Sequence, residues 1–214
     1  QNLNYLPSML HSTLNYLIRN IKINNNEYFV QKLIIDNKKQ LNVYYVNHHL
    51  SHACNYFFSP FSNASILTLD AFGENECMSF YSGKSNKLNK ISSQNFPHSL
   101  GSFYSTFTEF CGFKPQSEEW KLMGASSYGK KTHYYNLIKD LVDLNKQGEF
   151  NLNLKYFNHY MFHKPKYYNE FLINYLKTKP NEDGQNLKKK YFNIAFATQQ
   201  VFEEIYYYLI NNLY

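Results

Sequence analysis

Apolar residues in the opening stretch recur at three- and four-residue steps. Leu6, Met9, Leu10, Leu14, Leu17, Ile18 and Ile21 line one side of an amphipathic helix spanning Leu3 to Ile21. After the Asn24-Asn25-Asn26 break, Tyr28 to Ile35 carries enough β-branched and apolar character for a strand, although Gln31 and Lys32 interrupt its alternation. Leu41 to Val46 reads as a buried strand running into His48-His49-Leu50-Ser51-His52-Ala53-Cys54, whose helical periodicity continues through Phe57 and Phe58 and stops at Pro60. Ala64 to Leu69 is a short apolar run closing on Asp70, and Met78 to Tyr81 and Leu88 to Ile91 are expected as neighbouring antiparallel strands with turns at Gly73 and Gly83. Further on, the pattern predicts a helix from Phe103 to Phe110 ended by Gly112, and a short one around Trp120 to Met123. Helices are also predicted over Tyr134 to Leu144, Tyr167 to Leu176 and about Lys188 to Leu213. The expected architecture is α/β over residues 1–129 and mainly helical over residues 130–214, with a junction near residue 130.

Composition narrows the class. A chain of 214 residues with 43% hydrophobic content can bury one core and is short for two full domains. The net charge of +6 is spread along the chain, so no basic arm is visible and no nucleic-acid partner is expected. Cys54, Cys77 and Cys111 are widely spaced without a CxxC pair, which argues against a disulfide framework and a thiolate zinc site and points to a reducing cytoplasm. No stretch approaches the roughly 20 apolar residues of a membrane span, and the N-terminus lacks signal-peptide character, so a soluble protein without a membrane partner is expected. Tracts such as Lys188-Lys189-Lys190 read as coding bias more readily than as a binding feature.

The chemistry concentrates at one place. His48 and His52, at i and i+4, share a helical face one turn apart, as two ligands of one metal ion must. Asp70, at the end of the following strand, offers a carboxylate to the crevice where α/β proteins bind ligands. Two histidines and a carboxylate suit a divalent ion, iron(II) first, with manganese or zinc close behind. The competing reading is that HxxxH arises by chance and Asp70 caps a turn. His49 projects away from the shared face and is expected behind the ligands or on the surface.

Val46-Asn47-His48-His49-Leu50-Ser51-His52-Ala53 resembles the VDHHLSHA signature of the O-carbamoyltransferase family, of the nodulation and antibiotic-tailoring type. Ile66 to Glu74 resembles the family's strand followed by DGxGE, and Phe96-Pro97-His98-Ser99-Leu100-Gly101 with Phe103-Tyr104 resembles FPHSLG and the helix after it. Gly112-Phe113-Lys114, Glu119 to Gly124 and Tyr128-Gly129 resemble the GFK and EYKLMGLAPYG elements, and Ala195 to Glu204 the helix before the family's nucleotide-binding glycines. The tRNA threonylcarbamoyl-transferase subunit shares HxxxH and the actin-like fold but lacks the FPHSLG and KLMG blocks.

The resemblance implies a partial actin-like domain of the sugar kinase, heat-shock chaperone and actin type. It further implies carbamoyl transfer in two steps: a synthase-like domain outside this chain makes carbamoyl adenylate from carbamoyl phosphate and ATP, and the actin-like domain passes the carbamoyl group to a hydroxyl of a small-molecule or sugar acceptor. The metal would then polarise the carbamoyl carbonyl or hold the adenylate phosphate. Lys121 becomes the candidate anion and nucleotide contact, with a solvated helix lysine as the alternative. Glu74 is a candidate for supporting the metal shell or the acceptor hydroxyl, and His98 for contacting substrate, each with a structural role as the alternative. Gly73, Gly101, Gly124 and Gly129 read as turn requirements.

Two departures stand out. Ala71 follows the aspartate where the family has glycine, which questions the local backbone because alanine resists positive φ, and Ser126-Ser127 replace Ala-Pro. The family's opening strand, its later glycine-rich segments and its synthase-like domain are not in this sequence, so the chain reads as truncated at both ends and inactive by itself. A metal-binding, non-catalytic remnant or regulatory module is the alternative.

Overall fold

The computed structural model describes residues 28–35, 39–145 and 148–212. The helix expected from Leu3 to Ile21 lies outside the described residues. The chain divides into two compact units, with the boundary between Asn95 and Phe96, and residue 130 falls inside the second.

In the first unit, β1 (Tyr28–Ile35) and β2 (Lys39–Val46) form an antiparallel ribbon in which Tyr28 pairs with Val46 and Val30 with Tyr44. β2 is not the buried strand its apolar pattern suggests: Leu41, Tyr44 and Val46 are all exposed, because a two-stranded ribbon has two open faces. α1 (His48–Ala53) follows at once and tightens into a 3₁₀ turn, Cys54–Phe58. Then come β3 (Asn63–Gly73), β4 (Glu76–Lys84) and β5 (Lys87–Asn95), an antiparallel meander in the order β3-β4-β5. As the middle strand, β4 is buried on both faces from Cys77 to Tyr81. Gly83 is not a turn residue. It pairs within β4, and a Cβ there would press on the Tyr56 ring.

The second unit is built on α2 (Leu100–Phe110), whose Ser99 cap accepts the Ser102 N–H and whose Phe103, Phe107 and Phe110 are fully buried. Gly112, at φ +89°, turns the chain just beyond it, as left-handed residues do at helix ends. α3 (Glu119–Ser126) and α4 (His133–Lys139) follow. The helix expected over Tyr134 to Leu144 therefore stops at Lys139, and Val142–Leu144 instead becomes β6, paired with β7 (Phe150–Leu152). α5 (Glu170–Leu176) precedes the long α6 (Lys189–Asn211). The stripe Tyr191, Ile194, Ala195, Thr198, Val201, Ile205 and Leu209 on α6 is buried, and the helix packs against α2, α3 and α4. Gly101 and Gly124 lie inside α2 and α3, not in turns. The molecule is thus mixed α and β, with six helices and three small antiparallel sheets among the described residues. No helix among them is long and apolar enough to cross a membrane.

Candidate metal centre

The site is assembled in the first unit, from the start of α1 and the end of β3. Asn47 caps α1 by accepting the Leu50 N–H at 3.0 Å, and the Glu74 carboxylate accepts the His48 N–H at 3.1 Å. Helical spacing then stacks His52 one turn below His48. Asp70 is not at the end of its strand, which runs on to Gly73. The β3–β4 ladder is regular as far as Leu69 opposite Met78 and resumes only at Gly73 opposite Glu76, so residues 70–72 face Cys77 alone. Such a bulge re-aims side chains, and here it accompanies the turn of the Asp70 carboxylate onto α1.

Three ligand atoms converge. His48 Nε2 lies 2.6 Å from Asp70 Oδ2, His52 Nε2 lies 3.0 Å from His48 Nε2, and His52 Nε2 lies 3.4 Å from Asp70 Oδ2. They form a group of His48, His52 and Asp70 whose ligand atoms all lie within 4.8 Å of one another. Protons cannot satisfy this triangle with neutral rings. If His48 Nε2 carries its proton toward Asp70, it offers His52 no lone pair. A cation at the shared point satisfies all three. With metal–ligand bonds of about 2.1 Å, neighbouring ligands stand about 3.0 Å apart in octahedral geometry and about 3.4 Å in tetrahedral geometry, so the 3.0 and 3.4 Å separations are of that size and the 2.6 Å His48–Asp70 pair would open by a few tenths of an ångström around an ion. The side chains of His48, His52 and Asp70 are 38%, 51% and 35% exposed, which leaves one side of the cluster facing solvent.

Charge is arranged to match. Burial resists ionisation of Asp70, but hydrogen bonds from His48 and from the Ala71 N–H at 2.7 Å outweigh it and hold the carboxyl below its ordinary range. Ala71 itself sits in β3, and the left-handed residue of this segment is Glu74 at φ +50°, so the alanine departure meets no backbone conflict.

His49 is completely buried, which rules out the surface position that sequence left open. Its Nε2–H donates to the Glu76 carbonyl at 3.1 Å, so Nδ1 accepts from the Thr68 hydroxyl at 2.8 Å. Burial outweighs the Glu76 carbonyl and carboxylate and lowers its pKa, keeping the ring neutral. Glu76, ion-paired with Lys90 and hydrogen-bonded to Ser79, extends this support under α1. Neither Thr68 nor Glu76 was marked by sequence, since only strand pairing brings them beneath a helix 19 or more residues away.

The remaining candidates lie in the second unit. His98 Nδ1 accepts the Leu152 N–H at 3.0 Å, which ties the residues before α2 to β7, and burial lowers its pKa. In the neutral ring the proton is therefore on Nε2. Lys121 is ion-paired with Glu118 and lies 5.4 Å from the centre of the Trp120 ring.

The chain is similar to an uncharacterized protein of Synechocystis sp., 45% identical over 113 residues, or 52% of this chain and 18% of that protein. An uncharacterized protein of Methanocaldococcus jannaschii is 38% identical over 94 residues, 43% of this chain and 17% of the relative. Nodulation protein NolNO of Sinorhizobium fredii is 28% identical over 111 residues, 51% of this chain and 16% of the relative. The aligned stretch is thus less than a fifth of each of these longer proteins. A family profile described as Carbamoyltransferase N-terminus matches residues 1–214 from end to end, and the protein belongs to that family.

Proposed function

We propose that this chain is part of the acceptor half of an O-carbamoyltransferase with an actin-like domain. It passes the carbamoyl group of carbamoyl adenylate, made from carbamoyl phosphate and ATP by a synthase-like domain, to a hydroxyl of a small-molecule or sugar acceptor. The observation that carries this reading is the convergence of His48, His52 and Asp70 on one point in a member of the carbamoyltransferase family.

His48 and His52 in neutral form and Asp70 as its anion would hold a divalent ion, iron(II) in the first place and manganese or zinc as alternatives. When bound, the ion supplies Lewis acidity toward a carbonyl or phosphate oxygen. The residues do the rest. Asp70, ionised throughout the neutral range, contributes the one negative charge of the ligand set and so leaves net positive charge for substrate oxygens. Its hydrogen bond from Ala71 fixes one carboxylate oxygen, leaving the other to face the imidazoles. Glu74 supports the ligand shell through the His48 backbone. Lys121 is the candidate phosphate contact. Its pair with Glu118 is partly exposed, and such pairs are worth little, so exchange of Glu118 for a substrate anion is inexpensive. His98 is the candidate substrate contact of the second unit, with its Nδ1 holding β7.

The test is made in the full-length protein, with pyrophosphate release and carbamoyl transfer followed separately. His52→Ala or Asp70→Ala is expected to lower transfer by at least about a hundredfold, since a Lewis-acid contribution is worth several kcal/mol, while pyrophosphate release from ATP and carbamoyl phosphate continues. Unchanged transfer in either variant, or equal loss of both half-reactions, overturns the assignment.

A further inference from the structure

We propose that Glu74 is a positioning residue whose carboxylate, together with the space left by Gly73, seats His48 in the triad. The inference rests on reading the triad as a metal site. Glu74 is the first residue of the two-residue turn between β3 and β4, and its φ is +50°. Hairpin turns favour glycine at that position because side-chain-bearing residues are strained there. A strained residue is explained when its side chain does something glycine cannot, and the Glu74 carboxylate reaches back to accept the His48 N–H at 3.1 Å. The first backbone N–H groups of a helix have no partner within it. In α1 the task is divided: Asn47 serves Leu50, and Glu74 serves His48.

Gly73 completes the seat. A Cβ on Gly73 would overlap Cβ, Cγ and Cδ2 of His48, so the imidazole lies directly against the glycine backbone. His48 is thereby held at its backbone nitrogen by Glu74, at its ring face by Gly73, and at Nε2 by Asp70, 2.6 Å away. Asn47 and the buried His49 hold the helix itself, while these three contacts set the position of the partly exposed His48 ring, so loss of one lets the imidazole swing out of register with His52. Glu74 is not itself among the ligands. Its carboxylate oxygen is turned to the helix nitrogen, and it falls outside the group converging within 4.8 Å.

The experiment titrates the full chain with cobalt(II), followed by visible absorption, beside thermal melts and NMR of the metal-free chain. Glu74→Ala is expected to weaken cobalt binding about 10- to 100-fold, the usual effect of losing a group that orients a ligand. Glu74→Gln keeps a carbonyl oxygen for the His48 N–H and stays close to the parent. Glu74→Gly weakens binding as the alanine does yet melts no lower than the parent, because it also removes the turn strain. Gly73→Ala weakens binding at least as much as Glu74→Ala. Cobalt binding by Glu74→Ala equal to the parent's overturns the proposal, and so does a Glu74→Gln variant as weak as alanine with altered absorption bands, which would make the carboxylate a ligand. The cross-peak between the His48 ring proton Hδ2 and a Gly73 Hα reports the seat without metal. It is expected in the parent and in Glu74→Gln and lost in Glu74→Ala, and its persistence in Glu74→Ala overturns the proposal. A parent chain that binds no cobalt defeats the metal reading of the triad, while the cross-peak still decides the seating.

Discussion

Three neighbouring histidines of one short segment serve opposite ends. His48 and His52 point to the solvent side of α1, whereas His49 points into the unit and bonds Thr68 and the Glu76 carbonyl. His49→Ala is therefore expected to destabilise the first unit by about 2–4 kcal/mol, combining a cavity with the loss of the bond to the Glu76 carbonyl, while the Thr68 hydroxyl keeps the Ser79 carbonyl as its acceptor. Urea unfolding followed by β-sheet circular dichroism measures this, and an unchanged midpoint would show His49 to be dispensable. In the full-length protein, the carbamoyl transfer proposed above is expected to fall less in His49→Ala than in His52→Ala. A second buried imidazole sets a pH dependence in the other unit. His159 donates from Nε2 to the Pro97 carbonyl at 2.9 Å, its Nδ1 has no partner among the described residues, and burial pushes its pKa down to about 4 from 6.5. Between those values the unfolded chain carries the proton and the folded chain does not, so unfolding takes up a proton and stability falls as pH falls. The loss begins near pH 6.5, is complete near pH 4, and amounts to about 3 kcal/mol at 1.36 kcal/mol per unit. The urea midpoint of His159→Phe is expected to vary less over that window than the parent's. Parallel curves would place the dependence elsewhere.

Among the elements, α3 and the residues just after it hold two glycines of opposite kind. Gly124 lies within the helix, and a Cβ there meets nothing within 4 Å. Gly124→Ala is therefore expected to stabilise the second unit by up to about 1 kcal/mol, the helix-propensity difference between the two residues. Gly129, just beyond the helix, faces the Phe192 carbonyl of α6 so closely that an added Cβ would overlap the backbone. Gly129→Ala has to push α6 away, with an expected loss of about 2 kcal/mol or more. Paired thermal melts check both, and a Gly124→Ala variant that melts lower than the parent would show that α3 is constrained by something other than its own helix. The β3 bulge is the other decisive element. Continuous β3–β4 pairing beyond Leu69 would change the direction in which residue 70 points, since each one-residue slip reverses a strand's faces.

For the molecule as a whole, the expected consequence of a metal site in the first unit is ligand-linked stability. At a free ion concentration about 100 times its dissociation constant, binding only to the folded form adds about 2.7 kcal/mol. Hydrogen exchange of the β3 and β4 amides that open only by unfolding of their unit is then expected to slow about a hundredfold on adding cobalt(II). Equal slowing in a His48→Ala, His52→Ala double variant would place the ion elsewhere. The sole tryptophan, Trp120, lies in the second unit, so its fluorescence follows that unit.

What sequence alone determined was local. The i, i+4 spacing of His48 and His52 follows from helical geometry wherever the helix lies, and the ordered blocks from Val46 to Gly129 were enough to indicate the family. The start of β1, the β4–β5 pairing, the end of α2 at Gly112 and the long helix α6 were legible for the same reason, because each depends on near neighbours in the chain. Tertiary structure decided the rest. The exposure of β2 depends on how many strands its sheet contains, and the switch from helix to β6 after Lys139 depends on the partner strand β7. The meeting of Asp70 with His48 across 22 residues depends on a bulge that no pattern of apolar residues encodes. Glu74 reaches His48 through a left-handed turn, so its part in the site exists only where the strands place that turn against the start of α1.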